Sequence, residues 1–188
     1  MNQRKFWKII DKCRYAQDPE LRLDQLLDRL TTPEIRDFDW IFQTFEHYAN
    51  RMDVYGAAHL LGQASDDDEF MDFIRGLILS GRHVFEAALG EPDTLRCLWL
   101  RDPIANEGIA LVARKVYARK SGISIFEAID ELIGSIEKMD IELTIYGTPY
   151  EPSEGDRWDF DNEQENRLHL PKLSHAVYDH RYGMNQHG

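Results

Sequence analysis

The chain has 188 residues, of which 43% are hydrophobic and 30% charged, and its 22 basic and 34 acidic side chains give a formal net charge of −12. This composition is typical of a folded globular protein and unlike that of a disordered chain. The acidic balance argues against nucleic-acid binding, which needs a basic face to neutralise phosphates.

The N-terminal segment and the hydropathy of the chain predict a cytoplasmic protein. Charged residues interrupt the apolar residues that follow Trp7, so the start lacks the core of a signal peptide. No apolar run approaches the roughly 20 residues that cross a bilayer, which predicts no membrane association. Cys13 and Cys97 are far apart and lack metal-ligand spacing, so we expect buried free thiols.

The first third of the chain carries apolar residues at the three- and four-residue spacing of amphipathic helices. One stripe covers residues 6–13 and another covers residues 23–30, and Pro19 breaks the chain between them. Thr32, with Pro33 at the first helical position, is predicted to cap a long third helix.

The acidic run at residues 66–69 precedes a further apolar stripe that begins at Phe70. The helix dipole favours carboxylates at a helix start, and Asp66 with Glu69 fits a capping pattern. A metal site is the alternative, but the alternating ligands, central glycine and distal glutamate of a calcium loop are missing. Neither the histidines nor the cysteines have zinc-ligand spacing, so we expect no metal and no cofactor.

The second half of the chain contains a clear helix start and a possible strand. Ser124 and Glu127 form a capping box, in which each side chain satisfies a backbone donor near the other. Apolar and polar residues then alternate over residues 141–146, which is the two-residue period of a strand or extended segment. Helices predominate, so the predicted fold class is mainly α, with one compact domain.

Residues 151–165 carry seven acidic side chains and one basic side chain, Arg157, so they cannot form an ordinary core element. Trp158 and Phe160 lie within this stretch and predict a strap whose aromatic side chains dock on the helical body. Trp158 has the alternative role of an exposed contact for a partner. The predicted organisation is a helical domain at 1–147, an acidic strap at 148–177 and a disordered tail at 178–188.

Several short patterns of this chain occur together in one known family. They are Glu34-Ile35-x-x-Phe38, Asp53-x-Tyr55-Gly56-Ala57-Ala58, Ser65-Asp66-Asp67-x-x-Phe70-x-Asp72-Phe73 and Leu77-Ile78-x-x-Gly81-Arg82. With these patterns the chain resembles the bacterial domain-of-unknown-function family 4240, and the resemblance extends to about residue 175. Related sequences usually place an arginine directly after the second signature phenylalanine, where this chain has Ile74, and a tryptophan is common where it has Gly76. The resemblance implies a mainly helical bacterial domain and no particular activity.

The leading functional hypothesis is a protein-binding or regulatory module. Its acidity and its lack of catalytic motifs resemble the physics of immunity proteins and antitoxins, which present negative faces to basic proteins. The contact surface would be formed by Trp158, Asp159, Asp161 and Glu163, and the partner would be a basic protein.

The alternative hypothesis is a hydrolase-like enzyme or a small-ligand binder. Its cluster would consist of Tyr55, His59, Asp66, Asp67 and Arg75. A carboxylate would act as a base, and the arginine would clamp an anion. The sequence favours the binding module over the enzyme and leaves the oligomeric state open.

Overall fold

A computed structural model of the chain describes residues 1–133, 144–145, 148–149 and 153–179, and the predicted mainly α fold class is confirmed. The α-helices of these ranges are α1 (Gln3–Cys13), α2 (Pro19–Leu27), α3 (Thr32–Ala49), α4 (Met52–Leu60), α5 (Asp67–Leu79), α6 (Arg82–Gly90), α7 (Ile109–Ser121), α8 (Ile125–Ile133), α9 (Glu163–His169) and α10 (Pro171–Ser174). A 3-10 helix, Pro92–Leu98, follows α6, and a π-helical turn, His175–Asp179, follows α10. Within the described ranges, every helix is too short or too polar to cross a membrane.

Two strands of two residues each form the extended part of the described chain. Strand β1 (Thr144–Ile145) pairs antiparallel with β2 (Thr148–Pro149). The strand predicted over residues 141–146 is therefore present at Thr144–Ile145, and the rest of that range lies outside the described residues.

The helix starts show how local sequence sets the element boundaries. The Ser124 backbone N–H donates to Glu127 at 2.8 Å and the Glu127 N–H donates to the Ser124 hydroxyl at 3.2 Å, so the predicted capping box is confirmed. The cap of α3 is Thr31 rather than the predicted Thr32, because Glu34 accepts hydrogen bonds from both the backbone N–H and the hydroxyl of Thr31. Capping patterns separated by three residues locate a helix start to within one position.

Helix α3 lies at the centre of the fold, where it contacts α1, α5, α7 and α8. The core beside it is aromatic: the ring of Phe6 lies 4.8 Å from Phe38 and that of Trp7 stacks 4.9 Å from Phe45. Burial of several aromatic rings in contact stabilises the packing of α1 on α3. The thiol of Cys13 is buried here as expected, whereas Cys97 is exposed, so its predicted burial is wrong.

Three of the core helices also share buried charges. Asp39 of α3 is 2% exposed and accepts a hydrogen bond from Arg114 of α7 at 3.3 Å. Burial outweighs the attraction of Arg114 and raises the pKa of Asp39 to about 6. Glu46, two turns further along α3, accepts a 2.8 Å hydrogen bond from Arg75 of α5. These ion pairs fix how α5 and α7 pack on α3.

The C-terminal helices dock on the 3-10 helix and on α4. The buried carboxylate of Asp93 accepts the backbone N–H groups of Lys172 at 3.0 Å and Leu173 at 2.7 Å, and so caps the start of α10. Tyr178 and Asp179 lie in the π-helical turn, and the Tyr178 hydroxyl accepts a hydrogen bond from Asn166 at 2.8 Å. The first two residues of the predicted tail, Tyr178 and Asp179, are thus helical, and residues 180–188 lie outside the described ranges.

Candidate functional site

Helix α4 places Tyr55 and His59 one turn apart on the same face, since residues four positions apart are neighbours on a helix. The Tyr55 ring stacks on Phe70 of α5 with 4.7 Å between ring centres. It also meets the edge of Phe160 at 5.5 Å. Tyr55 is thus the point where α4, α5 and the segment after residue 153 come together.

The acidic run forms the start of α5, as predicted from its capping pattern. The Asp66 carboxylate accepts the backbone N–H of Glu69 at 2.9 Å. In return, the Glu69 carboxylate accepts the backbone N–H and the hydroxyl of Ser65, at 2.8 and 2.7 Å. Asp66 and Glu69 therefore satisfy the free donors of the first turn, and Asp67 and Asp68 lie exposed beside them.

The segment 153–162 crosses α4 and is held there by Trp158, which is 9% exposed. The indole Nε1 donates to Asn166 Oδ1 at 2.7 Å, and the ring stacks on His169 at 4.3 Å. Gly56 makes this approach possible, because a Cβ at that position would lie 2.5 Å from Trp158 Cζ2 and 2.9 Å from Phe160 Cε1. Trp158 acts as an anchor of the segment, and the role of exposed partner contact is corrected because its ring is buried.

The polar residues that follow Trp158 bring a second acidic group to the same face of α4. The Asp161 carboxylate lies 3.0 Å from His59 Nε2, and the Asp161 side chain is 89% exposed. Asp159 is exposed, and Glu163 lies at the first position of α9, where it pairs with Arg167 at 2.9 Å. We use the term acidic face for the following residues: Asp66, Asp67, Asp68, Glu69, Asp159, Asp161 and Glu163.

The negative charges of the acidic face affect Tyr55. This residue lies between the two halves of the face, which are the carboxylates at residues 66–69 and those at residues 159–163. Burial is the largest cause that raises the pKa of the Tyr55 hydroxyl, and the negative charges at the start of α5 raise it further. The phenol therefore stays protonated and can donate a hydrogen bond to an incoming group at neutral pH.

Arg75 does not join the other members of the predicted enzyme cluster. It lies about 12 Å along the α5 axis from Asp67, given a rise of about 1.5 Å per residue. Its guanidinium donates to Glu46 at 2.8 Å and to Asp72 at 2.7 Å. The structure therefore groups Tyr55, Asp66 and Asp67 and leaves out the arginine that would clamp an anion. Arg75 has a packing role instead.

The carboxylates of the acidic face do not form a ligand set for a metal. Among the described residues, no group of three histidine, cysteine or acidic side chains is placed to hold an ion. The hydrogen bonds within the α5 start direct the carboxylates of Asp66 and Glu69 at the backbone rather than at a shared point.

The structure also contains a cleft that the sequence does not reveal. Its volume is about 1030 Å³, and it lies at the carboxyl end of α5. The lining comes from α5, α6, the 3-10 helix, the connection between α1 and α2, and residues 100–106. The polar and charged side chains in the lining are Arg14, Tyr15, Ser80, His83, Thr94, Cys97, Arg101, Asp102 and Asn106. These positions are scattered along the chain, so no local motif marks the cleft.

Comparison with known families gives one match. The family model described as "Protein of unknown function (DUF4240)" matches residues 1–119. This range is shorter than the resemblance inferred from the sequence and ends before the Trp158 segment. A search of curated proteins and a search of solved structures found no match.

Proposed function

This chain is a member of the DUF4240 family, and we propose that it is a protein-binding or regulatory module whose acidic face docks on a basic protein partner. The observation that carries this proposal is the convergence of two acidic segments, distant in sequence, on one face of α4. Tyr55 and His59 contact the two segments, through Phe70 and through Asp161. A face of this kind favours a partner with clustered lysine and arginine side chains.

The charge of the face supports fast and selective association. Its seven carboxylates belong to a chain with a net charge of −12, so the local field adds to that of the whole molecule. Among the described residues, the basic side chain within hydrogen-bond reach of Asp161 is His59, which is charged only when protonated. Asp161 is therefore available to a lysine or arginine of the partner.

The packing beneath the face supports a preorganised surface. Trp158 is buried and hydrogen-bonded, and Phe160 packs against Tyr55, so Asp159 and Asp161 are attached to a fixed segment. A fixed surface pays less conformational entropy on binding than a mobile one. Trp158 contributes to this function by holding the segment in place, and the carboxylates make the contact with the partner.

The exposed thiol of Cys97 supports a reducing compartment, because exposed free cysteines are readily oxidised elsewhere. We therefore place this function in the bacterial cytoplasm.

The test is affinity capture with the full chain in lysate of the cells that produce it, at about 0.05 M and about 0.3 M salt, where screening lengths differ by more than twofold. We expect a stoichiometric basic protein that is retained less well at the higher salt. Asp159→Lys combined with Asp161→Lys should weaken its capture at least tenfold, since like charges across an interface repel.

The matched control is Glu107→Lys combined with Asp130→Lys. Both residues are exposed and lie outside the acidic face, and the change in net charge is the same. Equal capture by the two double variants would show that general acidity, rather than this face, attracts the partner. Recovery of the chain without a partner would contradict the proposal altogether.

A further inference from the structure

We propose that the cleft at the carboxyl end of α5 binds a small organic anion that combines one negatively charged group with an apolar body. The volume of the cleft, about 1030 Å³, lies at the upper end of the range for small-molecule sites. Gly76, in its lining, lies about 14 Å along the α5 axis from Asp67, so the cleft is separate from the acidic face. The proposal is independent of the protein-binding function.

The interior of the cleft offers an apolar surface for the body of the ligand. Side chains from three elements supply it: Leu79 from α5, Val84 and Ala87 from α6, and Leu95 and Leu98 from the 3-10 helix. Ser80, Thr94 and Asn106 also line the cleft. The two hydroxyls donate to the Gly76 and Glu91 carbonyls and Asn106 Oδ1 accepts the Ile109 N–H, so the hydroxyl oxygens and the Asn106 amide nitrogen are the groups that can meet a ligand. Ligand sites commonly have this character, with a mainly apolar lining and a few polar groups that fix orientation.

The wall formed by residues 100–106 is held in place by specific contacts with α5 and with the connection between α4 and α5. The Ile104 carbonyl lies against Gly76, where any Cβ would overlap its oxygen. The Ile104 N–H donates to Gln63 Oε1 at 3.0 Å, and the Asn106 N–H donates to the Asp72 carbonyl at 3.0 Å. The cleft is thus formed before any ligand arrives, which lowers the entropic cost of binding.

The charges of the cleft point to an anion. Arg14 and Arg101 line it, although the chain as a whole is strongly acidic. Within the described ranges, neither of these side chains forms an ion pair with a carboxylate. Asp102 is the carboxylate in the lining. The side chains of Arg14 and Asp11 both approach Gly81, but they are not within ion-pair distance of each other. Guanidinium groups that are not engaged by carboxylates are the preferred partners of carboxylate, sulfonate and phosphate groups.

The rim of the cleft explains why the ligand should have an apolar body as well as a charge. Tyr15 is 83% exposed and Leu100 is 69% exposed, and both belong to the lining. Leu100 has φ of 63°, a left-handed conformation that residues other than glycine rarely adopt. Strained residues of this kind cluster at ligand sites, where the surrounding structure imposes them.

The test uses 8-anilinonaphthalene-1-sulfonate, a fluorescent aromatic anion that combines a sulfonate with an apolar ring system. We expect saturable binding with one site per folded chain, measured by fluorescence and by titration calorimetry. Laurate, an aliphatic carboxylate, should displace it, whereas inorganic phosphate should compete only weakly because it lacks an apolar body. Arg14→Gln combined with Arg101→Gln should weaken binding at least tenfold, the usual effect of losing charge-assisted hydrogen bonds.

Two further variants make the test specific. Asp102→Asn removes the carboxylate of the lining and should strengthen binding of the sulfonate severalfold. Arg96→Gln combined with Arg29→Gln is the matched control, because both are exposed arginines outside the lining and the change in net charge is the same, and it should leave binding unchanged. Circular dichroism and the melting temperature check that each variant folds.

Three results would overturn the proposal. One is the absence of saturable binding by the folded chain. Another is an equal loss of affinity in the Arg96 and Arg29 control and in the Arg14 and Arg101 double variant, which would indicate general attraction by positive charge. The third is binding that neither the arginine variant nor Asp102→Asn changes, which would indicate apolar adsorption elsewhere on the surface.

Discussion

Gly56→Ala tests whether close packing of Trp158 on α4 holds the acidic segment in place. The added methyl group would lie 2.5 Å from Trp158 Cζ2 and 2.9 Å from Phe160 Cε1. Carbon atoms in contact are about 3.5–4.0 Å apart, so both rings would have to move by about 1 Å. Trp158 resists this movement because it is hydrogen-bonded to Asn166 and stacked on His169.

Two opposing contributions set the expected magnitude. Overpacking of a tight contact costs about 1–3 kcal/mol. Alanine in place of glycine inside a helix gains about 1 kcal/mol through helix propensity. The net expectation for Gly56→Ala is a free energy of unfolding lower by about 1 kcal/mol, with the segment 153–162 loosened from α4.

The matched control is Gly90→Ala at the end of α6, where a Cβ would have no neighbour within 4 Å. This variant should keep or slightly raise the stability, so the two alanine variants should differ by about 1–2 kcal/mol in urea unfolding followed by tryptophan fluorescence. Limited proteolysis should cut the segment 153–162 faster in Gly56→Ala than in the unmodified chain, and Gly90→Ala should not change the rate. If Gly56→Ala proved as stable and as resistant as Gly90→Ala, the inferred packing of Trp158 would be refuted.

The remaining predictions concern the buried charges and the thiols. The free energy of unfolding of the unmodified chain should fall between about pH 4 and pH 6 as Asp39 ionises, and Asp39→Asn should make this fall smaller by up to about 3 kcal/mol. Urea unfolding at several pH values measures the difference. Arg75→Gln should lower the free energy of unfolding by about 2 kcal/mol, because it removes the ion pair of the buried Glu46. Cys97 should react with Ellman's reagent in the native protein, and Cys13 should react only after unfolding.

The sign of the pH prediction follows from the direction of the pKa shift. Burial raises the pKa of Asp39 to about 6, above its value in the unfolded chain. The folded protein therefore holds a proton that the unfolded chain has released, so this stabilising contribution is full below about pH 4 and is lost as the pH rises through 6. Equal slopes for Asp39→Asn and the unmodified chain over this range would contradict the assignment.

The other two predictions have their own checks. Arg75→Gln combined with Glu46→Gln should recover most of the lost stability, since the buried charge is removed with its partner. The thiol of Cys13 has a pKa raised to about 11 by burial, so it stays protonated and unreactive at neutral pH. Two thiols reacting at equal rates in the native protein would contradict this difference.

The helix starts could be predicted because their determinants lie within four residues of each other. Asp66 with Glu69 and Ser124 with Glu127 are examples, and the error at α3 was one residue, from Thr32 to Thr31. Local hydrogen bonds leave a trace in local sequence.

The candidate site could be predicted only in part, because its contacts join distant positions. Trp158 indicates an anchor, but the sequence could not show that its ring packs on Gly56, about 100 positions earlier. For Arg75, the partner at Glu46 is 29 positions away, so the sequence pattern could not show that this arginine pairs with α3. The sequence does not reveal the cleft, since segments around Arg14 and Arg101 form it together and neither carries a motif.

The two halves of the acidic face differ in how strongly they bear on function. Asp66 and Glu69 have a structural role as caps of α5, and replacing such caps costs about 0.5–2 kcal/mol. The ion pair of Asp161 with His59 is exposed at the carboxylate and contributes at most about 1 kcal/mol. Asp159 accepts the backbone N–H of Asp161 at 3.1 Å in an exposed turn. Fold stability thus accounts fully for Asp66 and Glu69 and only in part for Asp159 and Asp161. Charge reversal of this second pair should therefore separate partner binding from stability, whereas reversal at Asp66 would change both.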